Sequence, residues 1–279
     1  MKTILVPTDF SPHSENALRA AASIAKKKNA QIMVVHMIGL ESGLLTSNTD
    51  LPTEASVFYV KLAEKRFSEL LDQVYLKDIQ VKSMVKKYRN FSEINTLAAE
   101  LETDLIVMSS HGASGIEELF LGSNTEKVIR TSEIPVLVIK QFVADFDIDL
   151  GVFASDFSSE AVSVYIEAKQ FFDLFQATMK TVYVNIPGRN FKTSSEIDKL
   201  LYDFFEEAGY ENPSEAVSQV SIVSDKTVEQ GVLAYSDLID SDVIVVPTHG
   251  RRGLSHLLRG SISEDVANHS HKPVLTMKL

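Results

Sequence analysis

Residues Asp242–Glu264 read DVIVVPTHGRRGLSHLLRGSISE, and residues Asp104–Glu126 read DLIVMSSHGASGIEELFLGSNTE. Each stretch begins with an apolar run typical of a buried strand, continues through a glycine-containing loop, and ends in a Gly-Ser pair before a helical pattern. Gly260 lies 138 positions after Gly122, and the histidine, the first glycine and the serine of each loop keep the same offset. A constant offset over so many positions indicates a duplicated domain.

The duplication extends over the rest of the chain. The segment LGVFASDFS at 150–158 echoes ILVPTDFS at 4–11, and Asp156 lies 147 positions after Asp9. Because the later motifs keep the smaller offset of 138, the second copy is nine residues shorter, and the loss falls after its second strand. We therefore predict two domains, over residues 1–143 and 147–279.

Each copy alternates strand and helix patterns. Short apolar or β-rich runs predict the five strands of the first copy, at residues 2–6, 31–36, 79–85, 105–108 and 135–139. Ser11-Pro12 predicts a helix start, with serine as the cap. An amphipathic pattern predicts a longer helix over 54–75, with Val74 facing inward. This alternation is typical of βαβ units and predicts an α/β fold with a parallel sheet covered on both faces.

Composition excludes several classes of function. The net charge of −11 argues against general binding to nucleic acid or to anionic membranes, because there is no basic surplus to neutralise phosphates. With no cysteine, disulfides and thiolate chemistry are excluded. No apolar run is long enough to span a bilayer, and the first residues do not resemble a signal peptide. The prediction is a cytoplasmic protein.

Both halves resemble the universal stress protein family over nearly the whole chain. Its nucleotide-binding members carry a glycine, two residues, a second glycine, nine residues, and then Gly-Ser or Gly-Thr. This chain has the last three elements twice, ending in Gly122-Ser123 and in Gly260-Ser261. The aspartate that contacts adenine in ATP-binding members corresponds to Asp9 and Asp156.

The resemblance implies a fold and a function. The fold would be two tandem, doubly wound, Rossmann-like sheets of five parallel strands in the order 3-2-1-4-5, packed about a pseudo-twofold axis. The fifth strands, Val136–Ile139 and Val274–Met277, would meet edge to edge. Ligands of such sheets bind at the carboxyl ends of the strands where the order reverses. The implied function is a stress-response regulator, not an enzyme, that binds ATP or a related adenine nucleotide with Mg²⁺ as a companion ion.

By the same resemblance, the nucleotide would lie against matching residues of the two copies. In the first copy these are Pro7, Thr8, Asp9, Met37, Met108, Ser109, Gly112, Gly122, Ser123 and Asn124. In the second copy they are Ser155, Asp156, Val184, Val246, Gly250, Arg251, Gly260, Ser261 and Ile262. No metal ligands and no catalytic residues are predicted.

Two departures from the family motif leave a second function open. At the position of the motif's first glycine, this chain has Ser109 in one copy and Pro247 in the other. Proline has no backbone N–H to offer a ligand. The alternative is therefore a nucleotide-free module of the same fold that binds a protein partner. The chain would be a monomer with an internal pseudo-dimer, or a homodimer. Weak ATP hydrolysis stays open, although no residue that activates water is apparent.

Local structural roles also compete for the same residues. Ser123 and Glu126, like Ser261 and Glu264, have the spacing of a capping box, which alone would explain them. The two aspartates could equally accept hydrogen bonds within turns. His111 and His249 are interpreted as polar loop residues.

Overall fold

The computed structural model describes residues 1–39, 54–88, 90–110, 121–248 and 262–279. The chain divides into two compact units, Met1–Asp147 and Ile148–Leu279, which we call unit one and unit two. None of the described helices is long and apolar enough to cross a membrane.

Unit one is a parallel sheet flanked by helices. Its strands are β1 (Thr3–Thr8), β2 (Gln31–Gly39), β3 (Val81–Tyr88), β4 (Leu105–Ser109) and β5 (Val136–Ile139). Its α-helices are α1 (Pro12–Lys28), α2 (Glu54–Leu71), α3 (Glu93–Glu100) and α4 (Ser123–Thr131). The strands are hydrogen-bonded in the order β3-β2-β1-β4-β5, and every described pairing is parallel.

Unit two repeats this arrangement. Its strands are β6 (Leu150–Ala154), β7 (Thr178–Asn185), β8 (Val220–Ser224), β9 (Val243–Thr248) and β10 (Val274–Lys278). Its α-helices are α5 (Val162–Phe175), α6 (Ser194–Glu207), α7 (Pro213–Ser218), α8 (Val228–Leu238) and α9 (Ile262–His269). The order β8-β7-β6-β9-β10 places the first strand of the unit at the centre, as in unit one. The predicted doubly wound α/β fold is confirmed in both units, whereas the edge-to-edge meeting of β5 and β10 stays a prediction.

Helix boundaries show where local signals were sufficient. The Ser11 hydroxyl accepts a hydrogen bond from the Ser14 amide and Pro12 opens α1, so the predicted helix start is confirmed. The prediction for Val74 is wrong, because this side chain is 88% exposed. Helix α2 ends at Leu71, and Gln73 has an extended backbone that interrupts the helical periodicity before Val74 is reached.

One carboxylate in each unit holds the start of the central strand. The Asp104 side chain accepts hydrogen bonds from the amides of Lys2 and Thr3, just before β1 and at its first residue. In unit two, Asp242 accepts from the amides of Asp149 and Leu150 at 2.9 and 2.8 Å. These hydrogen bonds give an acceptor to amides at the strand ends. Because the acceptor is charged, they are stronger than hydrogen bonds between neutral groups.

Removing this carboxylate should destabilise the unit. We expect Asp242→Ala to lower the free energy of unfolding by about 2 kcal/mol, because two amide donors lose a charged acceptor. Denaturant unfolding of the full chain measures the change. Asp173→Ala, at an exposed position of α5, is the matched control and should change stability by about 0.5 kcal/mol or less. Equal effects of the two substitutions would contradict this account.

At one pair of matched positions, the two cores place the large side chain on different elements. A Cβ atom built on Gly151 of β6 would lie 2.0 Å from Cζ of Phe172, a fully buried residue of α5. The matching residues of unit one, 147 positions earlier, are Ile4 and Ala25, which are also buried. Unit one therefore has the large side chain on the strand and the small one on the helix, and unit two has the reverse.

Candidate functional site

The predicted residues of unit one converge on the carboxyl ends of neighbouring strands. Pro7 and Thr8 end β1, while Met108 and Ser109 end β4, which pairs with β1. Met37 lies near the end of β2 on the other side of β1. The chain runs from β1 outward to β2 and returns to β4 on the opposite side, so this edge is the switch point of the sheet.

Asp9 lies in a tight turn between β1 and α1. Its Oδ1 accepts a hydrogen bond from the Ser11 amide at 3.0 Å, and the Phe10 amide donates to Thr8 Oγ1 at 3.0 Å. Phe10 has a φ of 63°, an unusual conformation for a residue other than glycine. The turn role considered from sequence is therefore present. A carboxylate has two oxygens and about four acceptor positions, so this role is compatible with a ligand contact.

The start of α4 differs from the predicted capping box. Gly122, with φ −59° and ψ 138°, is the N-cap, and Ser123 is the first helical residue. The capping role predicted for Ser123 is wrong, because the Gly122 carbonyl accepts the first intrahelical bond, from the Glu126 amide at 3.0 Å. The Glu126 carboxylate instead accepts from Arg130 at 2.8 Å.

Two hydrogen bonds hold this helix start against the end of β4. The Thr125 hydroxyl donates to the Ser109 carbonyl at 2.9 Å, and the Gly122 amide donates to the Ser110 carbonyl at 2.6 Å. The first-turn amides of an α-helix have no intrahelical acceptor, and the helix dipole adds partial positive charge there. Ser123 and Asn124, both exposed, contribute such amides. This arrangement suits an anion such as a phosphate.

His36 stands beside the Asp9 turn. Its Nδ1 lies 2.8 Å from the Thr8 carbonyl oxygen, which can only accept, so Nδ1 carries the proton and donates. Burial lowers the pKa of His36 below its usual value, while the Thr8 carbonyl and Asp9 raise it and Arg66 lowers it. The imidazole is therefore neutral at pH 7.

Unit two keeps the turn but surrounds it differently. Asp156 Oδ1 accepts from the Ser158 amide at 3.0 Å, matching the first unit, and the Phe157 amide donates to Ser155 Oγ at 3.0 Å. Phe157, however, is only 1% exposed, and its ring packs 5.0 Å from the ring of Phe204 on α6. Asp156 itself is exposed.

The loop after β7 is bound to the strand end. The Asn185 side chain donates to the Lys192 carbonyl at 2.9 Å and accepts from the Lys192 amide at 3.1 Å. The neighbouring Val184 is buried, and a Cβ atom added to Gly231 of α8 would lie 2.6 Å from its Cγ1. These contacts occupy the place that corresponds to the region around Met37 in unit one.

The other predicted residues of unit two are spread along β9 and α9. Val246 is buried within β9, and Pro247 continues that strand opposite Met277. Ile262 is 37% exposed and is the first residue of α9. Several predicted residues lie outside the described part of the chain: Gly112, Gly250, Arg251, Gly260 and Ser261.

Comparison with known proteins agrees with this architecture. The model of the universal stress protein family matches residues 1–140 and 152–278. The chain belongs to the universal stress protein family.

Two curated relatives in this family each cover about half of this chain. A universal stress protein of Methanocaldococcus jannaschii is 31% identical over 154 residues, which cover 50% of this chain and 95% of the relative. Universal stress protein YxiE of Bacillus subtilis is 29% identical over 149 residues, covering 49% of this chain and 97% of the relative. The crystal structure of a universal stress protein from Archaeoglobus fulgidus covers 99% of this chain and 96% of its own, with a TM-score of 0.71 and 23% identity. That similarity extends the shared fold to both units.

Sequence reasoning missed three functional candidates of this universal stress protein. His36 was read only as the end of a strand, although a histidine that ends a strand beside an aspartate-bearing turn is a usable signal. Thr125 and Asn185 gave no signal, because their roles depend on which backbone groups the fold places beside them. Within the described residues, no group of three or more His, Cys, Asp and Glu side chains is placed to hold a metal ion.

Proposed function

We propose that this protein binds ATP or a related adenine nucleotide at the switch point of unit one, and that the bound nucleotide regulates its contact with a protein partner. The adenine amino group would donate to Asp9, and the phosphates would lie on the first-turn amides of α4. Any Mg²⁺ would be held mainly by the phosphates, as is usual for this ion. The proposed role is regulatory rather than enzymatic.

The observation that carries the proposal is the anchored start of α4 across the switch point from the Asp9 turn. The bonds from Thr125 to Ser109 and from Gly122 to Ser110 hold the helix start in place before a ligand arrives. Gly122 has no side chain, so the cap residue itself makes no side-chain hydrogen bond to the amides of the first turn. A preorganised site of this kind loses less free energy on ligand binding than one that must first become ordered.

A second candidate function is favoured for unit two. There the Asn185 side chain is bonded to Lys192, Phe157 is buried, and Pro247 lacks an amide that a ligand could use. We propose that unit two acts without nucleotide, as the part of the chain that a protein partner contacts.

The two aspartates provide a matched test. We expect Asp9→Ala to weaken ATP binding about tenfold, because one hydrogen bond from the adenine to a charged acceptor is lost. Asp156→Ala removes an equivalent turn bond, also 3.0 Å long, so it controls for turn disruption and should leave the affinity unchanged. Isothermal titration calorimetry on the full chain measures both. A loss of affinity in Asp156→Ala but not in Asp9→Ala would place the site in unit two.

A further inference from the structure

His36 contacts both neighbours of Asp9. Its Nδ1–H donates to the carbonyl of Thr8, and its ring packs against the ring of Phe10, with centroids 4.6 Å apart. The bond to Thr8 joins residues 28 positions apart, so it ties β2 to the last residue of β1, directly before the turn. One side chain therefore contacts the backbone before Asp9 and the ring of the residue after it.

The phenylalanine in this arrangement needs such support. Phe10 has a left-handed φ of 63°, which residues with a Cβ atom adopt only when surrounding contacts enforce it. Its ring also meets Phe67 of α2 edge-on, with the ring centroids 5.0 Å apart, in addition to the contact with His36 on β2. A shift of the imidazole would release one of these contacts and, with it, the orientation of the adjacent Asp9.

Among the described residues, the charges that act on the imidazole come from two elements. Asp9 acts on it from the β1–α1 turn, and Arg66 acts from α2. The third neighbouring element, β3, places Val85 in register with His36 and contributes no charge at that position. Protonation would thus put a partly buried cation beside the carboxylate of Asp9.

Unit two has no histidine at the position of His36. The residue that matches His36 is Tyr183, whose ring lies 6.2 Å from the ring of Phe157. Tyrosine has no ring N–H that could donate to the strand-end carbonyl. Burial and the nearby Asp156 raise the pKa of Tyr183, so it does not titrate near neutral pH. The support of the turn by a histidine is specific to unit one.

We propose that His36 is the positioning residue of the unit-one site, and that it makes adenine nucleotide affinity fall as the pH becomes acidic. This inference rests on the proposed function. The neutral imidazole supports the turn that orients Asp9, whose carboxylate would accept from the adenine amino group. The imidazolium would pair with that carboxylate and compete with the adenine, and its burial would favour movement away from the turn. Both effects weaken nucleotide binding in acid.

Two substitutions distinguish the effect of the His36 hydrogen bond from the effect of its protonation. His36→Phe keeps a ring against Phe10 but has no donor, and we expect it to raise the Kd for ATP about fivefold to tenfold at about pH 8. His36→Asn places an amide donor near the Nδ1 position but does not titrate, so its Kd at that pH should stay within about threefold of wild type. Calorimetry of the full chain with ATP gives both values.

The pH profile tests positioning against a merely structural role. On going from about pH 8 to about pH 5.5, the Kd of wild type should rise at least about threefold more than that of His36→Asn. Protonation of ATP itself affects both proteins equally and cancels in this ratio. His271→Asn removes an exposed histidine of unit two and should follow the wild-type profile.

The outcomes distinguish the two proposals. If wild type binds no ATP at the alkaline pH, the proposed function is lost and this inference with it. If wild type binds and His36→Phe binds equally well, only the inference is overturned. Identical pH profiles of wild type and His36→Asn would also overturn it, even where His36→Phe fails to fold.

Discussion

Gly151→Ile is expected to lower the free energy of unfolding by about 3 kcal/mol or more, because the new side chain would overlap a packed aromatic ring. The added Cβ would lie 2.0 and 2.2 Å from two ring carbons of Phe172 and 3.2 Å from a methyl group of Val243. Phe172 is 1% exposed and lies in the middle of the core, so it cannot move aside without repacking. Denaturant unfolding of the full chain measures this loss.

A second substitution should restore most of the stability. Phe172→Ala alone would leave a cavity and cost about 3–5 kcal/mol. Combined with Gly151→Ile, it recreates the pair that unit one already uses, Ile4 and Ala25, and the double variant should lie within about 1.5 kcal/mol of wild type. If the losses in unfolding free energy of the two substitutions simply add, the two side chains do not fill the same space. The proposed equivalence of Gly151–Phe172 and Ile4–Ala25 is then wrong.

The fold could be predicted from sequence because its signals are local or periodic. The continuous apolar runs of β4 and β9 indicate buried parallel strands. The Ser11 hydroxyl caps α1 by accepting a hydrogen bond from the Ser14 amide, and Pro12 begins the helix. The constant offsets between the two halves follow from residue identity alone. The exchange between Gly151 and Ile4 could not be predicted, because it depends on which helical residue faces which strand residue.

The candidate site was only partly predictable for the same reason. Asp9 and Ser109 could be placed at one sheet edge, since the carboxyl ends of parallel strands share that edge. Ser123 was misread as a cap because serine is the more frequent capping residue. Gly122 takes that position, with an extended ψ of 138°, and the helix begins at Ser123, one residue earlier than a Ser123 cap would place it. The role of His36 depends on a contact across 28 positions, which no local pattern reveals.

Gly122→Glu should abolish nucleotide binding, with a loss in affinity of about 100-fold or more, because a carboxylate beside the first-turn amides of α4 would repel phosphates. The backbone at Gly122 has φ −59° and ψ 138°, which any L-residue can adopt, so the substitution introduces no backbone strain. A negative charge at a helix N-terminus is also favourable for the helix. Gly122→Ala is the matched control and should keep most of the affinity.

The most direct test of a nucleotide site in unit one is isothermal titration calorimetry of ATP against the full chain, run in parallel on wild type, Gly122→Ala and Gly122→Glu. We predict saturable binding at a single site in wild type, similar binding in Gly122→Ala, and none in Gly122→Glu. An absence of binding to wild type at millimolar ATP would contradict the account, as would equal binding to wild type and Gly122→Glu.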